Sequence, residues 1–215
     1  MTDAAAGFET IHADAHLLVL NKPAGMLSVP GKGDEKQDCL SARVQKVYPD
    51  ALIVHRLDMA TSGLMLMARG PAVQTALSKL FEMRQIHKRY VAVVDGRMTI
   101  HQDWQLIDLP IALDWPNRPL RTIHADGKPS QTRWRALHYD PGANATRVEL
   151  EPITGRTHQL RVHLKALGHP ILGDALYAPV DAKAKAIRLL LHACALRFLH
   201  PASNDAMVFD DAANF

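Results

Sequence analysis

Apolar residues along this chain follow two spacings, one of strands and one of helices, in no regular alternation. Leu17-Leu-Val-Leu20 is a continuous apolar run of strand length that ends at the turn Asn21-Lys-Pro-Ala-Gly25. Such a run predicts a strand covered on both faces. A polar loop, Pro30-Gly-Lys-Gly-Asp34, leads into a helix that ends before Pro49, because proline biases the residue before it away from helical backbone. Leu64-Met-Leu-Met-Ala68 reads as a second strand. From residue 72 to about 84, Val73, Leu77, Leu80 and Phe81 recur at helical spacing, with Pro71 in the first turn, where a missing N–H costs nothing.

Arg89-Tyr-Val-Ala-Val-Val94 is strand-like and stops at Asp95-Gly96, and residues 132–137 and 146–151 alternate polar with apolar, the mark of half-buried strands. Thr157 is placed to cap a helix carrying Leu160, His163, Leu164 and Leu167 on one side, with Arg161 on its flank and Gly168 as the stop. Residues 189–199 are long, apolar and compatible with a strand that closes at His200-Pro201. Strands outnumber helices, and their irregular order implies an α+β fold with a largely antiparallel sheet rather than repeated βαβ units.

Composition narrows this only a little. With 215 residues, 47% hydrophobic and 22% charged, the chain has room for one substantial core and no second full-sized enzyme domain. It shows no fixed-period repeat, low-complexity tract or long flexible linker. A net charge of +3 is compatible with a polyanionic partner, and the clustering of the positive charges has to decide. The cysteines, Cys39 and Cys194, lie far apart, which excludes a disulfide scaffold. Acidic residues stand near the N-terminus, and no apolar segment approaches the ~20 residues that span a bilayer. A cytoplasmic protein is expected.

Three stretches carry candidate chemistry. Asp58 is the only acid between Asp50 and Glu82, set between apolar neighbours and a Thr-Ser-Gly turn. It is either a functional carboxylate or a turn aspartate bonded to nearby amides, and Arg56 supplies one counter-ion. The stretch Thr154-Gly-Arg-Thr-His-Gln-Leu-Arg-Val-His-Leu-Lys165 gathers Arg156, Arg161 and Lys165 with His158 and His163, and no acid occurs from residue 152 to 173. It reads as a phosphate-gripping segment or as a solvated basic helix face. In residues 114–135, Arg118, Arg121, His124, Lys128, Arg133 and Arg135 interleave with Trp115 and Trp134, which suits looped RNA. Either tryptophan is equally an ordinary core residue, with Trp134 the better candidate for the core.

Metal and nucleotide motifs are missing from the sequence. His158 and His163 are five apart, not the four of a helical zinc pair, and there is no HExxH, CxxC, GxxxxGK[ST], strand-linked GxGxxG or GxSxG. An enzyme without metal or cofactor is expected.

Three signatures together resemble the RluA family of RNA pseudouridine synthases: His55-Arg-Leu-Asp-Met-Ala-Thr-Ser-Gly63, Lys88-Arg-Tyr-Val-Ala92, and Gly155-Arg-Thr-His-Gln-Leu-Arg-Val-His163 followed by Gly168-His-Pro-Ile-Leu-Gly-Asp174. A fourth, Leu189-Leu-Leu-His-Ala193, completes the family order, and the likeness runs from about residue 21 to 201. Residues 114–119 and the short length resemble the members that act on both 23S rRNA and tRNA. The resemblance implies one catalytic domain over residues 1–215, without a separate N-terminal RNA-binding domain. Its sheet is mixed, mostly antiparallel and bisected, with flanking helices and a central cleft.

The same resemblance implies that Asp58 is the catalytic carboxylate, as nucleophile at the sugar or as base against a sugar proton. Arg161 pairs with Asp58 and holds it ionised, Tyr90 stacks on the target uracil and assists proton transfer, and Leu190 or Leu191 forms an apolar floor. Arg56 fills the space left by the flipped nucleotide. His55, Arg156 and His158 complete the expected substrate-binding set, and Arg118, Arg121 and Lys165 the expected backbone contacts. Substrates would be a 23S rRNA hairpin loop and a tRNA anticodon stem-loop, bound by a monomer with no obligate protein partner and no membrane. Two other readings stand beside this one. They are a noncatalytic RNA-binding or RNA-remodelling protein, and a nuclease using the histidines as acid and base.

Overall fold

A computed structural model of the chain describes residues 2–3, 7–101 and 103–215. They form two compact units, one of residues 1–88 and 193–214, the other of residues 89–192 with Phe215.

The first unit is built on β3 (Leu17–Lys22) and β5 (Ser62–Arg69), which pair antiparallel from Leu17 opposite Ala68 to Lys22 opposite Gly63. Leu17 through Leu20 and Leu64 through Ala68 are all fully buried, as an apolar run without alternation requires. Outside β3 lie β2 (Phe8–Ala13) and β1 (Thr2–Asp3). β4 (Ala51–Ile53) pairs with β5, and β12 (Leu191–Leu199) neighbours β5 and carries β13 (Ala206–Asp210) on its other side. Gly63 is required at its position. Its φ is +110°, and a Cβ there would collide with the Ala193 carbonyl.

α1 (Leu40–Val47) ends before Pro49 as the sequence predicts. α2 (Pro71–Glu82) begins on its proline, and Leu77, with Val73, Leu80 and Phe81 around it, packs on a core of Leu17, Val19, Leu64, Leu66, Leu196 and Phe198. Those four are the residues whose spacing predicts the helix.

The second unit is an antiparallel meander with an excursion: β6 (His87–Asp95), β11 (Ala145–Pro152), β10 (Gln131–Asp140) and β7 (Gln105–Asp108) in spatial order. β10 buries Thr132, Trp134 and Ala136 on one face. Leu137 falls on the outer face with Arg133 and Arg135 and is exposed, and a register shift between Ala136 and His138 ends the alternation, so that His138 is exposed too. A separate hairpin, β8 (Ile111–Leu113) and β9 (Arg121–Ile123), packs through Ile111 and Ile123 against Val162 and Tyr177 of this unit, which also holds α3 (Gln159–Ala166) and the short α4 (Val180–Ala184). The fold is α+β, and every described strand register is antiparallel.

α3 corrects two expectations. Its N-cap is His158, at φ +57° and ψ +16° without a side-chain cap bond, and not Thr157. Gln159 does the work of a cap: its Oε1 accepts from Arg156 N at 3.0 Å and from Thr154 Oγ1 at 2.7 Å. Arg161, expected on a flank, is 4% exposed, whereas Leu167 is 37% exposed. The charge goes inside because a buried carboxylate meets it there.

Candidate active site

Asp58 stands on the loop between β4 and β5, and that loop is fixed by residues remote in sequence. Ser28, buried, brackets Leu57: its Oγ donates to the Leu57 carbonyl at 2.7 Å and accepts from Leu57 N at 3.1 Å. On the other side of Asp58, the Met59 carbonyl accepts from Gly25 N at 2.8 Å and from Lys22 Nζ at 3.1 Å. Lys22 is wholly buried and also donates to the carbonyls of Pro23 and Met26. Burial lowers its pKa to about 8, while the charge of Asp58 works the other way. Both neighbours of Asp58 are thus pinned, and its own carbonyl accepts from Thr61 N at 3.0 Å. The side chain of Asp58 is half-buried and that of Arg56 is exposed.

His55 faces inward from the same loop. Its Nε2 accepts from Leu66 N at 2.9 Å, and its ring lies 4.6 Å from that of Phe81. Burial, with the nearby charge of Lys88, pushes its pKa down to about 3. The neutral imidazole therefore ties the loop to β5.

In the second unit, the buried carboxylate of Asp174 organises the basic segment. Arg161 reaches it with Nε at 2.8 Å and a terminal nitrogen at 2.6 Å, a bidentate geometry. The same carboxylate accepts from Leu176 N at 2.9 Å and Tyr177 N at 3.2 Å. This sets Tyr177, whose ring lies 5.0 Å from the Arg161 guanidinium carbon and 5.7 Å from Lys165 Nζ. The Tyr177 hydroxyl accepts from Arg121 N at 2.9 Å and lies 2.6 Å from His158 Nδ1. Arg121, His158, Arg161 and Lys165 are brought together around one phenol. Arg121 Nε is buried without a hydrogen-bond partner.

The remaining candidates of this unit have other partners. Arg156 is exposed, and its Nε donates to the Pro129 carbonyl at 3.3 Å. Tyr90, on β6 opposite Leu150, is half-buried. Leu190 packs with Leu172, Ala182 and Val93, and Leu191 is buried. Arg118 stacks on Trp115, 4.7 Å from the ring centroid. Trp134 is a core residue and Trp115 is not, with 9% and 65% exposure. His163 is occupied structurally, with Nδ1 2.9 Å from Thr132 Oγ1 and Nε2 3.0 Å from the Leu109 carbonyl, and His169 Nδ1 faces the Asp95 carbonyl. With both ring nitrogens engaged, His163 is not placed to act as the acid or base of a nuclease.

Among the described residues, Asp14, His16 and His200 place ligand-type atoms within 4.8 Å of one another. The Asp14 carboxylate and His200 Nδ1 are already engaged by protein hydrogen bonds. His200 Nδ1 accepts from Ala202 N and Ser203 N, which puts the ring proton on Nε2, 3.4 Å from Asp14 Oδ2. Asp14 also accepts from His16 N, Leu17 N and His12 Nε2. Burial opposes its charge, yet His12 and the two amides hold its pKa at about 2. The group is a hydrogen-bonded hub joining the β2–β3 turn to the end of β12.

Sequence reasoning missed Lys22, Ser28, Gln159 and Tyr177. Lys22 gave one signal, a lysine two residues after the buried apolar run Leu17 to Leu20. Ser28, Gln159 and Tyr177 belong to no pattern that marks them as buried, and only the tertiary structure shows that they are.

The RNA pseudouridylate synthase family model matches residues 16–166, within both units. The dual-specificity RNA pseudouridine synthase RluA of Escherichia coli K12 is 48% identical over 206 residues, 95% of this chain and 93% of that protein. Its counterpart of the same name in Vibrio vulnificus is 49% identical over 201 residues, 91% of this chain and 79% of that one. Among solved structures, human RNA Pseudouridylate Synthase Domain Containing 1 superposes with a TM-score of 0.79 at 26% identity, over 99% of this chain and 86% of that one.

Proposed function

The chain belongs to the RluA family of RNA pseudouridine synthases, enzymes that isomerise uridine in RNA, and from that premise we propose that Asp58 is the carboxylate that performs the isomerisation. The reaction breaks the bond from ribose to uracil nitrogen 1, turns the base, and rejoins the ribose to carbon 5. It consumes no reductant and no group donor. One positioned carboxylate suffices, attacking the sugar or removing a sugar proton. The observation that carries the proposal is the loop around Asp58, where Lys22 and Ser28 fix the residues on either side. A carboxylate held in this way is oriented before substrate arrives, and that alignment is what such a step needs.

The other roles complete the reading. Arg161, held by Asp174, is the cation of the reaction. Tyr90 stacks on the target uracil, and Leu190 or Leu191 lies beneath it. Arg56, exposed two residues before Asp58, enters the stack as the uridine leaves, a step that costs a few kcal/mol and is easier in a loop. His158, with Nδ1 held by Tyr177, and Arg156 and Lys165 contact the RNA. By analogy with its dual-specificity relatives, the substrates are a 23S rRNA hairpin loop and a tRNA anticodon stem-loop. The enzyme acts as a monomer in the cytoplasm.

The test is release of tritium from carbon 5 of uracil in labelled 23S rRNA and tRNA fragments, since the new carbon–carbon bond expels that label. Release by the wild type and none by Asp58→Ala or Asp58→Asn is expected. Release by either variant at the wild-type rate would remove Asp58 from the chemistry. Tight RNA binding by the wild type with no release from any fragment would favour a noncatalytic RNA-binding protein.

A further inference from the structure

Trp115 sits in the loop joining β8 to β9 and is 65% exposed, while Trp134 is buried and Trp104 half-buried under three arginines. Leaving an indole in water forfeits the burial that normally places tryptophan inside. The loop is nevertheless built to hold it out. Asp114 accepts from Asn117 N at 3.3 Å and from Asn117 Nδ2 at 3.1 and 3.0 Å. Its own N–H donates to the Leu120 carbonyl, and Leu120 N to the Asn117 carbonyl, both at 3.0 Å. The one acid of the loop is thereby engaged, and the exposed side chains beside the indole are Pro116, Asn117, Arg118 and Pro119.

The Arg118 guanidinium lies 4.7 Å from the indole centroid, which orients the ring and adds positive charge beside it. The strand that follows begins at Arg121, whose N–H is fixed on Tyr177 and through it linked to His158. A rigid, exposed, flat aromatic surface backed by a cation matches a nucleobase and its phosphate. Both features are used by proteins that hold unpaired RNA. An acidic peptide would use the arginine and leave the indole idle.

We infer that Trp115, backed by Arg118, is a stacking platform for one unpaired base of the substrate RNA other than the target uridine. The inference rests on the RNA pseudouridine synthase reading for its ligand class. It makes the β8–β9 loop a specificity determinant that selects looped over duplex RNA. Because every base has a π face, the platform tolerates sequence while demanding an unpaired base.

The experiment uses the full chain and a hairpin RNA carrying the uridine-containing loop, in wild-type form and with each loop base in turn replaced by an abasic site. Trp115→Ala is expected to weaken binding by about tenfold, and Trp115→Phe by less. Indole emission of the wild type, assigned by difference from Trp115→Phe, is expected to be quenched by the RNA. At one loop position the abasic site should weaken the wild type by the same factor and leave Trp115→Ala unaffected. Binding by Trp115→Ala within twofold of the wild type overturns the platform. So does the absence of any abasic position whose effect disappears in that variant. Tritium release is measured on the same hairpin. A wild type that binds, shows the quench and releases nothing refutes the isomerase reading and leaves the platform standing.

Discussion

Asp174→Ala is expected to be the most damaging single truncation in the second unit. Its carboxylate is fully buried and accepts four hydrogen bonds, two from the Arg161 guanidinium and two from the main chain at Leu176 and Tyr177. Charge-assisted bonds of this kind contribute about 1.5–3 kcal/mol each, but they do not sum, because both ions have left water. The relevant quantity is the cost of stranding one of them. For a buried pair that cost is about 3–5 kcal/mol, a large fraction of the roughly 5–15 kcal/mol that stabilises a folded protein.

Urea unfolding measured on wild type, Asp174→Ala, Asp174→Asn and an Arg161→Met, Asp174→Leu double variant separates the contributions. The asparagine keeps an acceptor for the two amides and lacks the charge, so it should lose less than the alanine. The double variant strands neither ion, so its loss should fall well short of the sum of the single losses. If Asp174→Asn stays folded, tritium release should fall by about a hundredfold, the scale expected when a positioned group drifts by an ångström. A loss below about 1 kcal/mol for Asp174→Ala, or strict additivity in the double variant, would refute the reasoning.

Three further outcomes are expected. His55 is neutral in the folded protein, with its pKa held at about 3 against an ordinary 6.5, so the unfolded chain binds the extra proton as pH drops. The stability it confers is complete above pH 6.5 and declines toward pH 3, by about 2 kcal/mol between pH 7 and 5. Urea unfolding at both values should show a slope that His55→Gln reduces, and an unchanged slope would count against it. Lys22→Met removes the donor shared by three carbonyls and should cost about 2–3 kcal/mol, with tritium release falling in the protein that remains folded. Wild-type stability and activity in that variant would exclude the anchoring role. If Lys165 neutralises an RNA phosphate, Lys165→Ala should flatten the plot of log affinity against log salt by about 0.7, whereas an unaltered slope would show that it does not.

The strands and helices that bury a strong pattern were legible in the sequence, and those that do not were missed. β3 and β5 carry continuous apolar runs, β12 is apolar apart from His192 and Arg197, and α2 presents four apolar residues on one face. β13 alternates between exposed and half-buried positions, β8 and β9 have three residues each, and α4 has five, too few for periodicity to show. The N-terminus of α3 was misread because Thr157 has the chemistry of a cap, while Gln159 has the geometry. Charged residues were misplaced for a similar reason. An arginine in a basic stretch reads as surface, and only its partner thirteen residues on shows that Arg161 lies inside.

The two loops bearing the family signatures share one device. Lys22, wholly buried, binds three main-chain carbonyls around the Asp58 loop, and Asp174, equally buried, binds two main-chain amides at the turn of Tyr177 together with Arg161. An apolar side chain at either position would avoid the desolvation cost of an ion, and a buried charge is weak evidence of stability for that reason. Irregular loops, however, present main-chain groups that no ladder satisfies, and each one left unpaired in the interior costs about 1–3 kcal/mol. A single ion with several donors or one with several acceptors meets two or three of those groups from a fixed point. It thereby restricts the loop to one conformation, which a methionine or leucine of equal volume does not. Buried charge placed against main chain, beside residues that must be oriented to a fraction of an ångström, is therefore a device for positioning. The expected consequence is that Lys22→Met and Asp174→Asn lower activity further than their loss of stability alone accounts for.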